Sequence, residues 1–351
     1  MKKLYIKWLP LVATFVLFLA IQTQAQEKQY RVGCIAFYNQ ENFYDTIQDP
    51  TINDHDFLPN GPYHWNTERY QTKLDHMSTV ISQIGSELFP GGPAIIGISE
   101  IENRQVVEDL VNTPKLKASG YQFVHYESPD SRGIDVALLY RPAFFKVTNT
   151  RSVRLVMKDN PDFKTRDQLV VSGIYDGEPL HIIVNHWPSR FGGEKKSLPN
   201  RKAAAELTKS LADSILAIDP NAKIIIMGDL NDDPTSPSLI KTLGAKGERQ
   251  DVGPKDFFNT MYQLFKEGNG SLAYHDTWNL FDQIIISEPL LNAKPGTYKF
   301  LKAKIFKADF ITQQDGQFKG YPLRTYVGTT YQGGYSDHFP TYIFIAKEII
   351  K

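Results

Sequence analysis

Lys223-Ile224-Ile225-Ile226-Met227-Gly228-Asp229-Leu230-Asn231 sets an apolar run of strand length directly against a turn that carries a carboxylate and an amide. A run without polar alternation fits a strand covered on both faces, the pattern of a sheet with helices outside. The arrangement recurs. Residues 94–99 form a second apolar run that ends in Glu100, and residues 180–185 run straight into His186. Apolar strands that end in acids, amides or imidazoles gather polar chemistry at one rim of a sheet.

Outward from these runs, strand patterns fall at 30–38, 121–127, 135–140, 144–155, 169–175, 283–286 and 340–346. Tyr70, Leu74, Met77, Ile81, Ile84 and Leu88 step by 4, 3, 4, 3, 4, one face of an amphipathic helix stopped by Pro90-Gly91-Gly92. A second helix spans 197–217, with Ala204, Leu207, Leu211 and Ile215 on one side, and a third is expected near 257–265. Residues 244–253 and 304–335 read as polar, Gly-rich surface loops. Two successive halves of strands with one or two helices each predict an α/β protein, two mixed sheets packed face to face with helices outside. No Pro, Gly or Ser linker divides residues 26–351, which are expected to form a single domain.

Composition narrows the class. The 351 residues carry 39 basic and 39 acidic side chains, with 41% hydrophobic residues, which excludes disordered, collagen-like and coiled-coil chains. A single cysteine, Cys34, excludes a disulfide framework and a Cys-based zinc site. Lys2, Lys3 and Lys7 precede an apolar run from Leu9 to Ile21, and Ala25 closes a polar stretch, the tripartite form of a secretory signal peptide. That run is short for the ~30 Å of a bilayer core. Cleavage near Ala25 is therefore expected, with export to the periplasm or the extracellular space and no stable membrane insertion. Removing 1–25 takes away three lysines and no acids, leaving 36 basic against 39 acidic residues, net −3.

Five segments place polar side chains where a strand ends: 38–42 with Asn39, 99–103 with Glu100, 185–190 with His186 and Arg190, 228–232 with Asp229 and Asn231, and 336–338 with Asp337-His338. A sixth, Phe281-Asp282-Gln283, opens a strand. Singly, each has a plain structural reading: a turn for Gly-Asp-Leu-Asn-Asp, a surface pair for Asp337-His338, an ion-pair partner for Glu100. Together and in this order they resemble the endonuclease/exonuclease/phosphatase superfamily, with its deoxyribonuclease I-like fold, over about residues 30–347. The stretch Phe37-Tyr38-Asn39-Gln40-Glu41-Asn42-Phe43-Tyr44-Asp45 also resembles the amino-terminal signature of exported bacterial members, and Arg132-Gly133-Ile134-Asp135-Val136-Ala137-Leu138-Leu139-Tyr140-Arg141 resembles the family at large.

The resemblance implies a four-layer α/β/β/α sandwich and metal-dependent attack of water on a phosphate ester. Mg²⁺ prefers hard oxygen ligands and keeps several waters, so one or two carboxylates suffice; Mn²⁺ and Ca²⁺ suit the same oxygens. Glu100 matches the family's metal-binding acid, with Asn39 supplying an amide oxygen and Asp337 completing or supporting the site. His338 matches the catalytic histidine, whose unperturbed pKa suits acid–base work near neutrality, and Asp282 the acid that orients it. Asp229 and Asn231 match the pair that handles the reacting phosphate, and His186 a second histidine that contacts the phosphate or protonates the leaving oxygen. Arg132 and Arg190 are candidate phosphate clamps, and Tyr274 a candidate substrate contact beside His275.

Three readings of the substrate follow. A secreted nuclease fits export, the fold, and aromatic residues Tyr38, Trp187, Tyr274 and Trp278 near the expected rim, although no basic stripe is present to track a polyanion. A phosphatase or phosphodiesterase for a small or lipid substrate, such as an inositol phosphate or sphingomyelin, is the alternative. A non-catalytic binding module of the same fold is the third. The expected partner is a phosphate-ester substrate, with nucleic acid first among candidates, and no obligate protein partner is evident.

Overall fold

The computed structural model describes residues 29–157 and 159–349; the expected signal peptide lies outside the described residues. The first half runs β1 (Tyr30–Phe43), α1 (Thr67–Gln83), β2 (Ile95–Ile101), α2 (Arg104–Asn112), α3 (Pro114–Ser119), β3 (Gln122–His125) and β4 (Asp135–Tyr140). The second begins β5 (Phe145–Val153), β6 (Gln168–Tyr175), β7 (Glu178–His186), α4 (Glu194–Ile218), β8 (Ile224–Asp229), β9 (Ala245–Lys246), β10 (Phe257–Asn259) and α5 (Tyr262–Lys266). It continues β11 (Leu272–Tyr274), β12 (Thr277–Asn279), β13 (Asp282–Ser287), α6 (Glu288–Leu291), β14 (Lys299–Ile305), β15 (Tyr326–Val327), β16 (Thr330–Tyr331) and β17 (Thr341–Glu348).

Six strands in the order β14-β17-β1-β2-β4-β3 form one sheet, and seven in the order β5-β6-β7-β8-β13-β10-β9 form the other. Both are mixed: β1 pairs parallel with β2, and β7 parallel with β8, beside antiparallel neighbours. The expected four layers are present. Side-chain alternation along β8 shows how they are glued. Ile225 and Met227 join the core between the sheets, whereas Ile224 and Ile226 pack with Ala205, Leu211 and Ala212 of α4. Ile284 and Ile286 of β13 follow the first pattern and Ile285 the second. A strand with apolar partners on both faces needs no polar alternation, which is why its sequence reads as a continuous apolar run.

Several expectations are corrected. The helix expected near 257–265 begins as a strand: Phe257 turns to the α4 layer and Phe258 to the inter-sheet core, while Phe257–Asn259 pair with β13. Only after Met261 does a short helix form; tertiary pairing overrides local preference there. The first helix stops at Gln83 rather than 88, because Gly85 takes a left-handed φ of 72° and packs against Cys34. Helices α2 and α3 were not expected; Asn103 caps α2 by accepting from the Val106 N–H at 3.0 Å. The expected 304–335 loop carries the end of an edge strand and the β15–β16 hairpin.

The sheets pack tightly at Gly97, where a Cβ would lie 2.6 Å from Met227 Sδ and 3.1 Å from Val184 Cγ1. Gly97→Ala is therefore expected to lower stability by about 1–3 kcal/mol through overpacking. Urea denaturation followed by circular dichroism checks this.

Candidate active site

Strand register assembles the site. In the second sheet His186 of β7 pairs with Asp229 of β8, and Asp229 with Asp282 of β13, so three functional side chains stand in one row. In the first sheet Asn39 pairs with Ser99, and the registers of β1 and β2 both break just beyond, at the positions that present Glu41, Asn42 and Glu100. Glu41, Asn42, Glu100 and Asn231 all adopt left-handed φ values of 49–60°, conformations that non-glycine residues hold mainly where surrounding structure imposes them. These kinks aim the side chains off the sheet ends. The turn before β17 closes the group: Ser336 Oγ donates to Asn39 O at 2.7 Å and accepts from the His338 N–H at 3.1 Å.

The polar centre is continuous. His338 Nδ1 lies 2.6 Å from Asp282 Oδ2, and His338 Nε2 lies 3.9 Å from both Asp229 Oδ2 and Asp337 Oδ1. His186 Nε2 is 3.7 Å from the same Asp229 oxygen and 3.8 Å from Glu100 Oε1. Asn39 Nδ2 donates to Asp229 Oδ2 at 3.0 Å, and the Asn42 N–H to Glu100 Oε2 at 2.9 Å. Asp229 Oδ1 takes the Asn231 N–H at 2.9 Å, while Asn231 Nδ2 donates to Trp187 O at 3.0 Å. The carboxylate at 100 and the imidazole at 338 thus belong to one cluster.

Its protonation states diverge. Burial lowers the His338 pKa, but Asp282, Asp337 and Asp229 together outweigh it and hold the ring well above the usual histidine value, as a cation. Burial lowers the His186 pKa too, and Arg166 and Arg132 push it further down, so this ring is neutral. Burial raises Asp229 to about 7, against the favourable field of His338. One imidazole is therefore a charged donor, the other a neutral one, and Asp229 is a carboxylate poised to exchange a proton near neutrality.

A hard divalent cation fits the donor chemistry. Glu100 Oε1 and Asp229 Oδ2 face a common point at His186 Nε2, with Asp337 Oδ1 across His338. Among the described residues no sulfur donor lies in the cluster, and carboxylate oxygens suit Mg²⁺. Glu100 and Asp337 would supply carboxylate oxygens to such a cation. Asn39 directs its nitrogen at Asp229 and its oxygen at the Glu41 N–H, 2.9 Å away, so that oxygen already accepts one bond. The closely spaced Asp229, Asp282 and His338 also have metal-ligand character, but Asp282 is committed to His338 Nδ1. A second cluster, His125, Glu127 and Asp135, centres on an internally satisfied pair: Asp135 accepts from the Ser128 N–H at 2.9 Å and faces His125 Nε2 at 3.0 Å.

The remaining expected residues divide. Arg132 is 44% exposed, and its charge is favoured by Glu100 and Asp229 against the effect of burial, so it faces the site. Arg190 instead donates to Asn231 O at 3.0 Å and Asp233 Oδ2 at 3.1 Å, and lies over the Phe281 ring. It braces the 229–233 turn. Tyr38 and Trp187, expected near the rim, are buried, and Trp278 stacks on Phe339; Tyr274 is exposed. Four residues had no role in the sequence reading. Arg166 donates to His186 O at 3.1 Å and to Asp130 at 3.1 Å, fixing the end of β7. Arg324 holds Asp337 Oδ2 at 2.7 Å. Lys73 and Glu41 pin Thr325 through its hydroxyl at 2.8 Å and its N–H at 2.6 Å. Two left a trace in sequence: Glu41 lies in the 38–42 segment, and Lys73 is a lysine three residues from Tyr70 on the apolar face of α1.

Because the folded His338 pKa lies above its unfolded value of about 6.5, this group's stabilisation is complete below that pH and is lost as pH rises through the folded value. The His338 ring proton signals are expected to titrate well above the usual histidine range in the native protein, and at lower pH in Asp282→Asn. An NMR pH titration checks both.

Three solved structures share the architecture. They are an endonuclease/exonuclease/phosphatase family protein from Bacteroides thetaiotaomicron (17% identity, TM-score 0.54, covering 92% of this chain and 97% of that one), D. rerio TDP2 complexed with single-strand DNA product (14%, 0.53, 90% and 98%), and a B. thetaiotaomicron mannosyl-6-phosphatase (15%, 0.52, 90% and 99%). At these identities the likeness concerns the fold. No curated protein matches the chain. A family model covers residues 34–347, spanning both sheets and every residue of the cluster, and on that match the chain belongs to the endonuclease/exonuclease/phosphatase family of phosphoric ester hydrolases.

Proposed function

We propose that the protein is an exported, Mg²⁺-dependent nuclease or nucleotide phosphodiesterase that cleaves by attack of water on phosphorus. The observation that carries the catalytic reading is the convergence of Asn39, Glu100, His186, Asp229, Asn231, Asp282 and His338 from both sheets on one cluster. When bound, the cation supplies Lewis-acid stabilisation of charge on the phosphoryl oxygens. Asp229, with its pKa near 7, takes the proton from the attacking water. His338, held cationic and oriented by Asp282, donates its Nε2 proton to the departing ester oxygen as the P–O bond breaks. Neutral His186 donates from its ring, and the second N–H of the Asn231 amide is directed to a non-bridging oxygen. Arg132 balances the incoming charge from the rim.

A small phosphoester is the second reading, and one observation favours it. Arg190 is engaged within its own turn and Arg324 is paired with Asp337 and Glu41, so the rim carries little unpaired positive charge to track a long polyanion. The described fold neighbours include a protein complexed with DNA product and a sugar phosphatase. Among the described residues no helix is long and apolar enough to cross a membrane, and export rests on the amino-terminal sequence pattern.

Purified protein is expected to hydrolyse an aryl phosphodiester and plasmid DNA with Mg²⁺, and to lose that activity with EDTA. His338→Ala and Asp229→Asn should each lower turnover by about 10² or more, the scale of lost acid–base assistance, with an unchanged fold by circular dichroism. Glu100→Gln should raise the Mg²⁺ concentration required for half-maximal rate. Hydrolysis of neither substrate, across several divalent metals, would support a binding role instead.

A further inference from the structure

Beside the catalytic cluster, the β11–β12 hairpin and the 313–332 loop enclose a cavity of about 330 Å³. The hairpin turns through two residues of left-handed φ, His275 at 47° and Asp276 at 60°, the geometry of a tight two-residue connection. That turn is latched to the loop. Tyr321 Oη donates to Asp276 Oδ1 at 2.6 Å and accepts from the Asp276 N–H at 3.0 Å. The loop is braced from behind by the Leu323 N–H on Ile311 O and the Gly320 N–H on Gln313 O, each 2.8 Å. The cavity is thus built before any ligand arrives.

Its lining is unusual for this surface. Tyr274, Phe318 and Val327 are 68%, 42% and 37% exposed, three large apolar side chains open to water, and all three line this one concavity. An apolar concavity rimmed by polar groups marks a binding site more often than scattered exposed residues do. The rim supplies the Gln317 amide and those of Gln313 and Gln332, whose nitrogens also donate to Asp315 O at 3.1 Å and Thr330 O at 3.4 Å. Arg324 forms the wall toward the catalytic centre: it holds Asp337 Oδ2 at 2.7 Å, and Asp337 Oδ1 lies 3.9 Å from His338 Nε2. Asp276 is engaged by Tyr321, and the Arg324 guanidinium in the lining is paired with Asp337 and Glu41, so the group the cavity accepts is uncharged. The volume sits at the low end of ligand pockets, about 300–1,000 Å³, and suits one ring system.

We propose that this pocket is the subsite for a nucleobase of the substrate, stacked on Tyr274 and Phe318 and read along its edge by the glutamine amides, while its phosphate occupies the His338 cluster. This deepens the phosphodiesterase reading and rests on it. It also fits a rim that lacks a basic track: recognition of one base replaces recognition of a long backbone.

Calorimetry on the full-length enzyme with Mg²⁺ tests it, comparing nucleoside 5′-monophosphates with ribose 5-phosphate. The nucleotides should bind about tenfold or more tightly than the base-free ligand, the scale of one base–aromatic stack. Phe318→Ala and Tyr274→Ala should each remove most of that advantage and leave ribose 5-phosphate binding unchanged; both side chains are exposed, so the fold should tolerate their loss. Equal binding of the two ligands, no binding of either, or equal weakening of both in the variants would overturn the subsite. Wild-type hydrolysis of bis(p-nitrophenyl) phosphate, measured in parallel, separates the two claims. Turnover without base-selective binding overturns the subsite alone. Base-selective binding without turnover supports the subsite and contradicts the hydrolytic reading.

Discussion

The apolar layer between the two sheets is the constraint from which the site follows. Asn39 and Glu100 belong to one sheet, and His186, Asp229 and Asp282 to the other. Their separation is set by how closely Gly97 approaches Met227 and Val184. Because side chains alternate with a period of two, a one-residue slip of β8 would exchange Ile225 and Met227 with Ile224 and Ile226 and would move Asp229 out of line with His186 and Asp282. Packing on both faces therefore specifies register, and register specifies the row of functional groups.

What the core positions, electrostatics makes reactive. Buried ionised groups are costly unless they are paired, and here each carboxylate has a named counterweight. Burial alone raises the Asp337 pKa, but His338, Arg324 and Lys73 hold it below the ordinary carboxylate value. Glu41, strongly buried and repelled by Asp337, rises to about 7 despite Lys73 beside it. The polar network reaches from α1 through the 323–337 loop to the catalytic histidine, so the loop that forms the nucleobase subsite and the turn that carries His338 are anchored by the same groups.

Much of this was legible in the sequence, for identifiable reasons. Buried strands betray themselves as unbroken apolar runs, and the polar residue after each run falls where a strand end places it, as Glu100, His186 and Asp229 do. The period of α1 was equally plain, although Gly85 ends it earlier than the Pro90-Gly91-Gly92 stop suggested. Illegible features depend on long-range partners. Phe257–Asn259 looks helical until β13 is beside it. Arg166 gains a role only because Asp130 and the end of β7 surround it. Arg190 seemed a phosphate clamp until the 229–233 turn folded under it. Aromatic residues misled in the same way: Tyr38 and Trp187 carry polar atoms yet lie in the interior, whereas Tyr274 owes its exposure to the hairpin turn beside it.

The central claim is that side chains from both sheets hold one divalent cation next to the His338–Asp282 pair. Paramagnetic broadening by Mn²⁺ of assigned histidine ring signals tests it most directly. The account predicts selective broadening of His338 and His186, reversed by excess Mg²⁺ and weakened in Glu100→Gln, with His181 at the opposite end of β7 unaffected. Uniform broadening of all histidines, or broadening indifferent to Mg²⁺ and to Glu100, would contradict it.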